Sequence, residues 1–405
     1  MAWDFSTEPE FQAHLDWIRA LVREEIEPLD VLFPGTGAPY DRRNPTTRAI
    51  LRPLQERVKK RGLFACHLRP ELGGQGYGQL KLALMYEILG RSNWAPSAFG
   101  CQAPDSGNAE ILHQFGSEEQ KARWLKPLVN GDIRSCFSMT EPEVSGSDPT
   151  GLQTRAVRDG DEWVINGHKW FTSGAIGASF AIAMVVTDPD ASEHRRMSQI
   201  IVPTDSPGFD LVRAVPVMGE TGAHCEIYYR DCRVPVTNTL GQPGDGFLIA
   251  QKRLGPGRIH HCMRWLGQMQ RAFELMCNYS LKRVTFGTTL AQKQTVQNWI
   301  ADSAAEIQAA RLLTLHAAHK IDSEGDPRVE ISLIKFFGAK VLHDVIDRAI
   351  QTHGALGVSG DTPLEFMYRQ ARAARIYDGP DEVHRMVVAR RILQSFSQGV
   401  NYSFE

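Results

Sequence analysis

A chain of 405 residues has room for two or three domains at roughly 150 residues each, and 42% hydrophobic with 23% charged residues is ordinary globular composition, enough for a large core. Lys and Arg total 45 against 47 Asp and Glu, a net charge of −2, so no overall positive field recruits a phosphate polymer or an anionic lipid surface, and neither nucleic acid nor membrane is an expected partner. The longest largely apolar stretch, 178–186, falls far short of the roughly 20 residues that cross a bilayer.

From Thr7 to about Asn130 the apolar residues fall at helical spacing, as at Leu80, Leu82, Ala83, Leu84, Ile88 and Leu89, with breaks at the clusters PGTGAP and LGGQGYG. Ser117 followed three residues on by Gln120 has the spacing of a capping box, and Gly131-Asp132 closes that segment. The texture changes at about Ile133. Short runs rich in Val, Ile, Trp and Tyr (TRAV, EWVI, HKWFT, FAIAMVV, SQIIVP, CEIYY) alternate with the turn formers Asp159-Gly160 and Asn166-Gly167, which predicts an antiparallel β domain. From Gly246 the helical period returns in long segments, roughly 250–284, 290–322, 327–353, 363–373 and 380–396, the pattern of a bundle. Asp326-Pro327 is read as a helix start, and Thr362, Pro363 and Glu365 as another with a capping box.

The expectation is an α+β chain: an N-terminal helical domain over 1–132, a middle antiparallel β domain over 133–245 and a C-terminal helical bundle over 246–405. No strand–GxGxxG–helix or GxxxxGK(S/T) segment occurs, which excludes a Rossmann or P-loop enzyme. The polar start MAWDFSTEPE lacks a signal pattern, and seven scattered cysteines without a C-x-x-C pair fit reduced thiols, so a cytoplasmic chain with no disulfide scaffold and no metal site is expected. His316 and His319 have helical spacing for chelation, but no Cys or carboxylate nearby completes a set.

Three segments carry chemistry. Residues 138–148, SMTEPEVSGSD, put Thr140, Ser145, Gly146 and Ser147 in a Gly-containing loop able to offer N–H and hydroxyl donors to a pyrophosphate; read alone, it is equally an ordinary surface loop. Residues 164–175, VINGHKWFTSGA, form a strand–turn–strand whose alternation sets Trp170 and Thr172 on one face, an aromatic wall beside a hydroxyl; read alone, a strand Trp is core packing. In 375–393, RIYDGPDEVHRMVVARRIL, Asp378 precedes Gly379-Pro380 and the last helix, where a carboxylate is also favoured simply by the helix dipole.

Together these segments resemble the acyl-CoA dehydrogenase family, with its T-E-P-x-x-G-S-D loop, its I-N-G-x-K-x-W-x-T-x-G hairpin and its Y-E-G-T-x-x-x-x-R-x-x-x-A-R terminal helix. LRPELGGQG at 68–76, the stretch 246–270, KRVTFGTTLAQKQ at 282–294 and QTHGALGVSGDTPLE at 351–365 match further, in the family's order. The resemblance implies a flavoenzyme that binds FAD and oxidises an acyl-CoA thioester to the trans-2-enoyl-CoA, with an electron-transferring flavoprotein as acceptor. It implies that Met139 and Thr140 lie at the flavin ring, Gly146 and Ser147 near pyrophosphate, and Trp170 and Thr172 over the isoalloxazine. Arg283, Phe286, Gln294, Gln351, Gly354 and Gly357 match positions that reach the FAD of a neighbouring subunit, so a homodimer or homotetramer is implied. Arg258 matches an arginine beside the active site and is expected to contact substrate.

Asp378 falls where most members carry the catalytic Glu. A base is needed because the α-proton of a thioester is weakly acidic while hydride leaves Cβ for the flavin. The chain departs from the family pattern elsewhere too. Pro380 and Glu382 replace a Thr and a Gln near FAD, the loop carries an extra residue that leaves Val144 and Ser145 without a role, and Gly257 stands where some members place an alternate base. The same resemblance is compatible with an oxidase acting on an acyl-CoA or a nitroalkane, and a fold that holds FAD without turnover would be expected to lack Asp378. His260 and His261 face either the acyl or CoA moiety or are hydrogen-bonded core or surface imidazoles, and Arg369, Arg372 and Arg375 are read as a solvated face or subunit interface.

Overall fold

The computed structural model describes residues 6–35, 37–41, 43–323 and 326–403, with the backbone alone at 254–256. The first half of the polar start and Thr36 of the PGTGAP cluster lie outside the described residues. By its contacts the chain forms two compact units, one of Met1–Pro34, Tyr77–Pro96 and Arg258–Glu405, the other of Gly35–Gly76 and Ser97–Gly257.

The first unit is helical: α1 (Pro9–Leu21), α2 (Gln79–Leu89), α3 (Gly246–Lys282, from Arg258 on), α4 (Gln294–Asp322), α5 (Arg328–His353), α6 (Leu364–Ala374) and α7 (Asp381–Ser397). Helix α5 is the hub and packs on α4, α6 and α7. Its buried residues Ile334, Ala339, Leu342, Val345, Ile346 and Ala349 recur around the helix, as a central helix requires. At the α2 end, backbones touch without side chains between them: a Cβ added at Gly267 would lie 2.1 Å from the Glu87 carbonyl oxygen, and one at Gly90 would lie 2.0 Å from that of Arg264.

Two predicted helix starts behave differently. Before α5 the Asp326 carboxylate accepts the Arg328 N–H at 3.2 Å, satisfying one of the orphan donors of the first turn. The capping box expected at Thr362 does not form. The Thr362 hydroxyl turns instead to the Leu356 carbonyl at 3.5 Å, and Glu365 is taken by Arg369 one turn on, at 2.8 and 3.0 Å.

The second unit is built on an eight-stranded sheet of β1 (Ser135–Ser138), β2 (Arg155–Asp159), β3 (Glu162–Ser173), β4 (Phe180–Val186), β5 (Met197–Pro203), β6 (Phe209–Ala214), β7 (His224–Pro235) and β8 (Thr239–Leu240). Its order is β6-β7-β3-β2-β4-β5-β8, with β1 also pairing β4. The sheet is mixed rather than antiparallel throughout, which corrects the expectation. Strand β1 runs parallel to β4 from Ser135↔Phe180 to Ser138↔Ala183, and β2 meets β4 in parallel at Arg155↔Val186. No hairpin joins either pair, so nothing forces the antiparallel sense there.

The apolar run of β4 is buried on both faces. Ala181, Ala183 and Val185 join Trp163, Ile165, Ile227 and Tyr229 from other strands, while Phe180 and Ile182 face Ile111, Leu112, Trp124 and Leu125 of the covering helices. The Ser117–Gln120 capping box forms in both directions, at 3.2 and 3.1 Å, and Gly131 in the left-handed region (φ +78°) closes Lys126–Asn130. Among the described residues no helix is long and apolar enough to cross a membrane.

Candidate active site

In the second unit the loop after β1 and the far end of β3 are tied together. The Trp170 N–H donates to the Thr140 carbonyl at 3.0 Å, and the Ser138 and Thr172 hydroxyls lie 3.4 Å apart. Beneath them Lys169, wholly buried, donates to the Met139 carbonyl at 2.7 Å and to Glu141 at 2.8 Å. Glu141, 2% exposed, also accepts the Gln153 and Thr154 N–H groups at 2.7 and 2.9 Å. Burial pulls the Lys169 ammonium down to about 8, still protonated at neutral pH. Burial also pushes the Glu141 carboxyl up, but the Lys169 charge and the hydrogen bonds outweigh it and hold Glu141 below the usual carboxylate range.

Met139, Thr140, Trp170 and Thr172 are therefore brought together, but not by alternation. Between Lys169↔Ile227 and Thr172↔Cys225 the register shifts by one residue, with Phe171 at φ +48°. Lys169 and Thr172 consequently share a face, both fully buried, and Trp170 sits in the bulge. Its indole N–H is buried without a hydrogen-bond partner among the described residues, an unspent donor. Gly146 comes back to Thr140, where a Cβ would sit 3.4 Å from its methyl, and Ser147 is exposed on the same loop. Val144, left without a role by the sequence, packs with Met139 against Met184, Val186 and Met197 and anchors the loop.

In the first unit Asp378 lies in the turn between α6 and α7 at φ +55°, followed by Gly379 at φ +104°. A non-glycine residue is held there only when its surroundings insist. Its carbonyl accepts Arg258 Nε at 3.0 Å and His384 Nε2 at 3.2 Å, while Lys335, wholly buried on α5, donates to the carbonyls of Ala374 at 2.7 Å and Gly379 at 3.3 Å. Burial, then the positive charges of Arg258 and Lys335, push His384 down to about 4. The Asp378 carboxylate lies 3.2 Å from His261 Nε2. The Tyr377 ring flanks His261 at 4.8 Å, and its hydroxyl accepts Trp265 Nε1 at 2.9 Å. Arg258 thus reaches the backbone of Asp378, a role that a substrate contact does not require. His260 faces the core of this unit, 3.1 Å from Gln79 Oε1 and beside Tyr86.

The remaining candidates cluster at the far ends of α3 and α5, joined by Tyr279 stacked on His353 at 4.2 Å. Phe286 (φ +49°) and Gly287 (φ +80°) turn a tight hairpin, and Phe286 is fully exposed. Arg283, Gln294, Gln351 and Gly354 are exposed too, whereas Gly357 is buried, with no room for a Cβ, which would lie 2.5 Å from the Ile350 carbonyl oxygen. Lys335 and the Lys169–Glu141 pair escaped sequence reasoning, and of the two histidines singled out together it is His261, not His260, that meets Asp378. Only Lys335 left a trace, a cation set among the apolar residues of ISLIKFFGA.

The residue pattern matches acyl-CoA dehydrogenase, N-terminal domain, over residues 8–132, middle domain over 136–232 and C-terminal domain over 244–393. The chain belongs to the acyl-CoA dehydrogenase family. It is 50% identical over 352 residues to "Probable acyl-CoA dehydrogenase FadE2" of Mycobacterium tuberculosis, covering 85% of this chain and 86% of that one. It is 44% identical over 354 residues to "Acyl-CoA dehydrogenase family member 11" of Rattus norvegicus, covering 85% of this chain but only 45% of that longer protein. The solved glutaryl-coenzyme A dehydrogenase glutaryl-CoA complex superposes with a TM-score of 0.84 at 27% identity, covering 97% of each chain. As an acyl-CoA dehydrogenase family enzyme, this protein is an oxidoreductase of a flavin-dependent family.

Proposed function

We propose that the protein binds FAD and removes the α-proton and a β-hydride from an acyl-CoA thioester, yielding the trans-2-enoyl-CoA, with Asp378 as base and an electron-transferring flavoprotein as acceptor. The observation that carries the base assignment is the backbone of Asp378, held at φ +55° by Arg258 and His384 on its own carbonyl and by Lys335 on its neighbour's. Such an investment in one side chain is characteristic of a working group.

The residues of the second unit fit the cofactor. Trp170 supplies a half-buried ring and a buried N–H with no hydrogen-bond partner among the described residues, and the loop of Thr140, Gly146 and Ser147 offers donors to a pyrophosphate. FAD bound there supplies the two-electron acceptor for the hydride. Lys169 and Glu141 hold the backbone of Met139 and Thr140 in place, and Asp378 takes the proton on its carboxylate. The exposed Arg283, Phe286, Gln294, Gln351, Gly354 and the nearby Gly357 are assigned to contact with a second copy and its FAD, making the working form a homodimer or homotetramer.

The test is anaerobic bleaching of the bound flavin by butyryl-, octanoyl-, palmitoyl- and docosanoyl-CoA, followed by admission of oxygen. Bleaching with slow reoxidation is the expected result; rapid reoxidation with peroxide would make the enzyme an oxidase. Asp378→Asn is expected to keep FAD and lose at least the roughly 10² to 10⁴ in reduction rate that a positioned base contributes. Reduction of that variant at the wild-type rate would place the base elsewhere.

A further inference from the structure

Asp378 is pinned through its carbonyl, so its carboxylate needs a hold of its own. We propose that His261 is a positioning residue: in a tautomer set by Arg264 it donates its Nε2–H to the Asp378 carboxylate, orienting it and favouring its ionised form. This rests on the reading of Asp378 as the base.

The tautomer follows from the partners. Arg264 Nη2 lies 3.2 Å from His261 Nδ1. A guanidinium has donors only, so Nδ1 must accept, and the proton of the neutral ring lies on Nε2. Nε2 faces Asp378 Oδ2 at 3.2 Å and can only donate to it. Arg258, His261 and Arg264 stand three residues apart on α3, on one helix face. The first holds the carbonyl of Asp378, the second its carboxylate, and the third the back of the imidazole. His261 therefore cannot itself be the base through Nε2, because the lone pair is on the wrong nitrogen.

The charge state agrees with this assignment. Burial pulls the His261 pKa down, and Asp378 opposes it, while the positive charges of Arg264 and Lys335 add to the lowering. Other ionisable groups at this site are engaged elsewhere. Burial pushes the Cys262 thiol up to about 12 and the Tyr377 phenol up as well, and the Tyr377 hydroxyl is engaged by Trp265. Burial lowers Lys335, which is spent on backbone carbonyls, and His384 donates to the Asp378 carbonyl rather than its carboxylate. A donor bonded to the ionised form of a carboxyl lowers its pKa, so the arrangement keeps Asp378 able to accept a proton at a lower pH than it otherwise would.

The experiment compares wild type, His261→Phe and His261→Gln in two ways. First, ¹⁵N-histidine spectra of the holoenzyme should show His261 in the Nε2–H tautomer, and an Nδ1–H or charged ring at neutral pH overturns the proposal. Second, the pH profile of anaerobic flavin reduction by the acyl-CoA of the panel that bleaches the wild type is measured. In His261→Phe the acid limb should move up by about one pH unit, with the rate at neutral pH falling about tenfold. His261→Gln, which keeps an amide N–H toward Asp378 and an oxygen toward Arg264, should restore most of both. An unmoved acid limb in His261→Phe, or equal losses in the two variants, reduces His261 to packing and overturns the proposal. Failure of the base reading itself looks different: Asp378→Asn would then reduce flavin normally, and both readings fall together.

Discussion

Lys169→Met tests whether the buried ion pair holds the loop that carries Met139 and Thr140. The methionine keeps the length of the side chain but removes the charge, leaving Glu141, 2% exposed, as an uncompensated buried carboxylate and the Met139 carbonyl short of its 2.7 Å donor. Removing one partner of a buried pair costs about 3–5 kcal/mol. For a unit of roughly 200 residues, each kcal/mol is about 2–4 °C, so the melting of the second unit should fall on the order of 10 °C. The loss should depend on pH with a definite sign. In the wild type Glu141 is held below its ordinary range, so its contribution is present above the unfolded carboxyl pKa and fades as pH drops through the folded one. In the variant burial acts unopposed and pushes the carboxyl up, so acidification neutralises the stranded charge and the gap between the two proteins narrows. Adding Glu141→Gln removes that charge too, and should recover part of the loss. The two N–H groups of Gln153 and Thr154 go to different carboxylate oxygens, one of which becomes an NH2 donor, so the recovery stays incomplete by about 1–3 kcal/mol. Urea unfolding at pH 7 and 5, with flavin content measured in parallel, decides it. A Lys169→Met cost below about 1 kcal/mol, or a double variant no better than the single, would refute the reasoning.

Three further outcomes are expected. Gly267→Ala should destabilise the first unit by about 1–3 kcal/mol or prevent its folding, because the new methyl would lie 2.1 Å from the Glu87 carbonyl oxygen; unchanged urea midpoints would contradict the contact. His384, held at about 4 against roughly 6.5 in an unfolded chain, makes the first unit lose up to ~1.4 kcal/mol per pH unit as pH falls from about 6.5 to 4, since the unfolded state takes up the proton first. His384→Asn should flatten that segment of the stability curve, and an unchanged slope would count against it. Phe286→Asn should act in opposite directions, easing the hairpin by suiting φ +49° before Gly287 while weakening self-association by about 1.5–3 kcal/mol, read by equilibrium sedimentation; assembly as tight as the wild type's would remove Phe286 from the interface.

What was legible in the sequence is what local chemistry determines. The helix ends of 117–131, the strand runs and the long helices follow from periodicity and turn residues within a few positions of one another. The parallel pairing of β1 with β4 joins segments far apart in the chain, and the Thr362 capping box failed because the Leu356 carbonyl and the Arg369 side chain competed for its two halves. At the site, the loop could be named from its letters, but the turn expected at Asn166-Gly167 is absent because β3 runs on through it against β7, and nothing marked Lys169, whose partner depends on the register of β3. The bulge that breaks the Trp170–Thr172 alternation is invisible for the same reason, since Phe171 carries no glycine to announce its φ of +48°.

Backbone strain is a useful guide here only in combination with chemistry. Six non-glycine residues among those described have positive φ: Ala65, Phe171, Met218, Asp231, Phe286 and Asp378. Three of them, Phe171, Phe286 and Asp378, fall inside the segments whose motifs suggested function, where a break in local preference is expected if the site is worth its cost to the fold. Ala65, Met218 and Asp231 do not, so a positive φ by itself selects nothing. Asp378 is set apart by its surroundings. Arg258 and His384 both converge on its carbonyl, Lys335 secures the next residue's, and His261 takes its carboxylate. Asp231, also a carboxylate at positive φ, is exposed within strand β7, where its N–H and its carboxylate both meet the Asn166 side chain across the register shift between β3 and β7. The same backbone conformation is therefore a strand irregularity in one place and, in the function proposed above, the presentation of a base in the other, and the difference lies in Arg258 and Lys335, cations that come from helices distant in sequence.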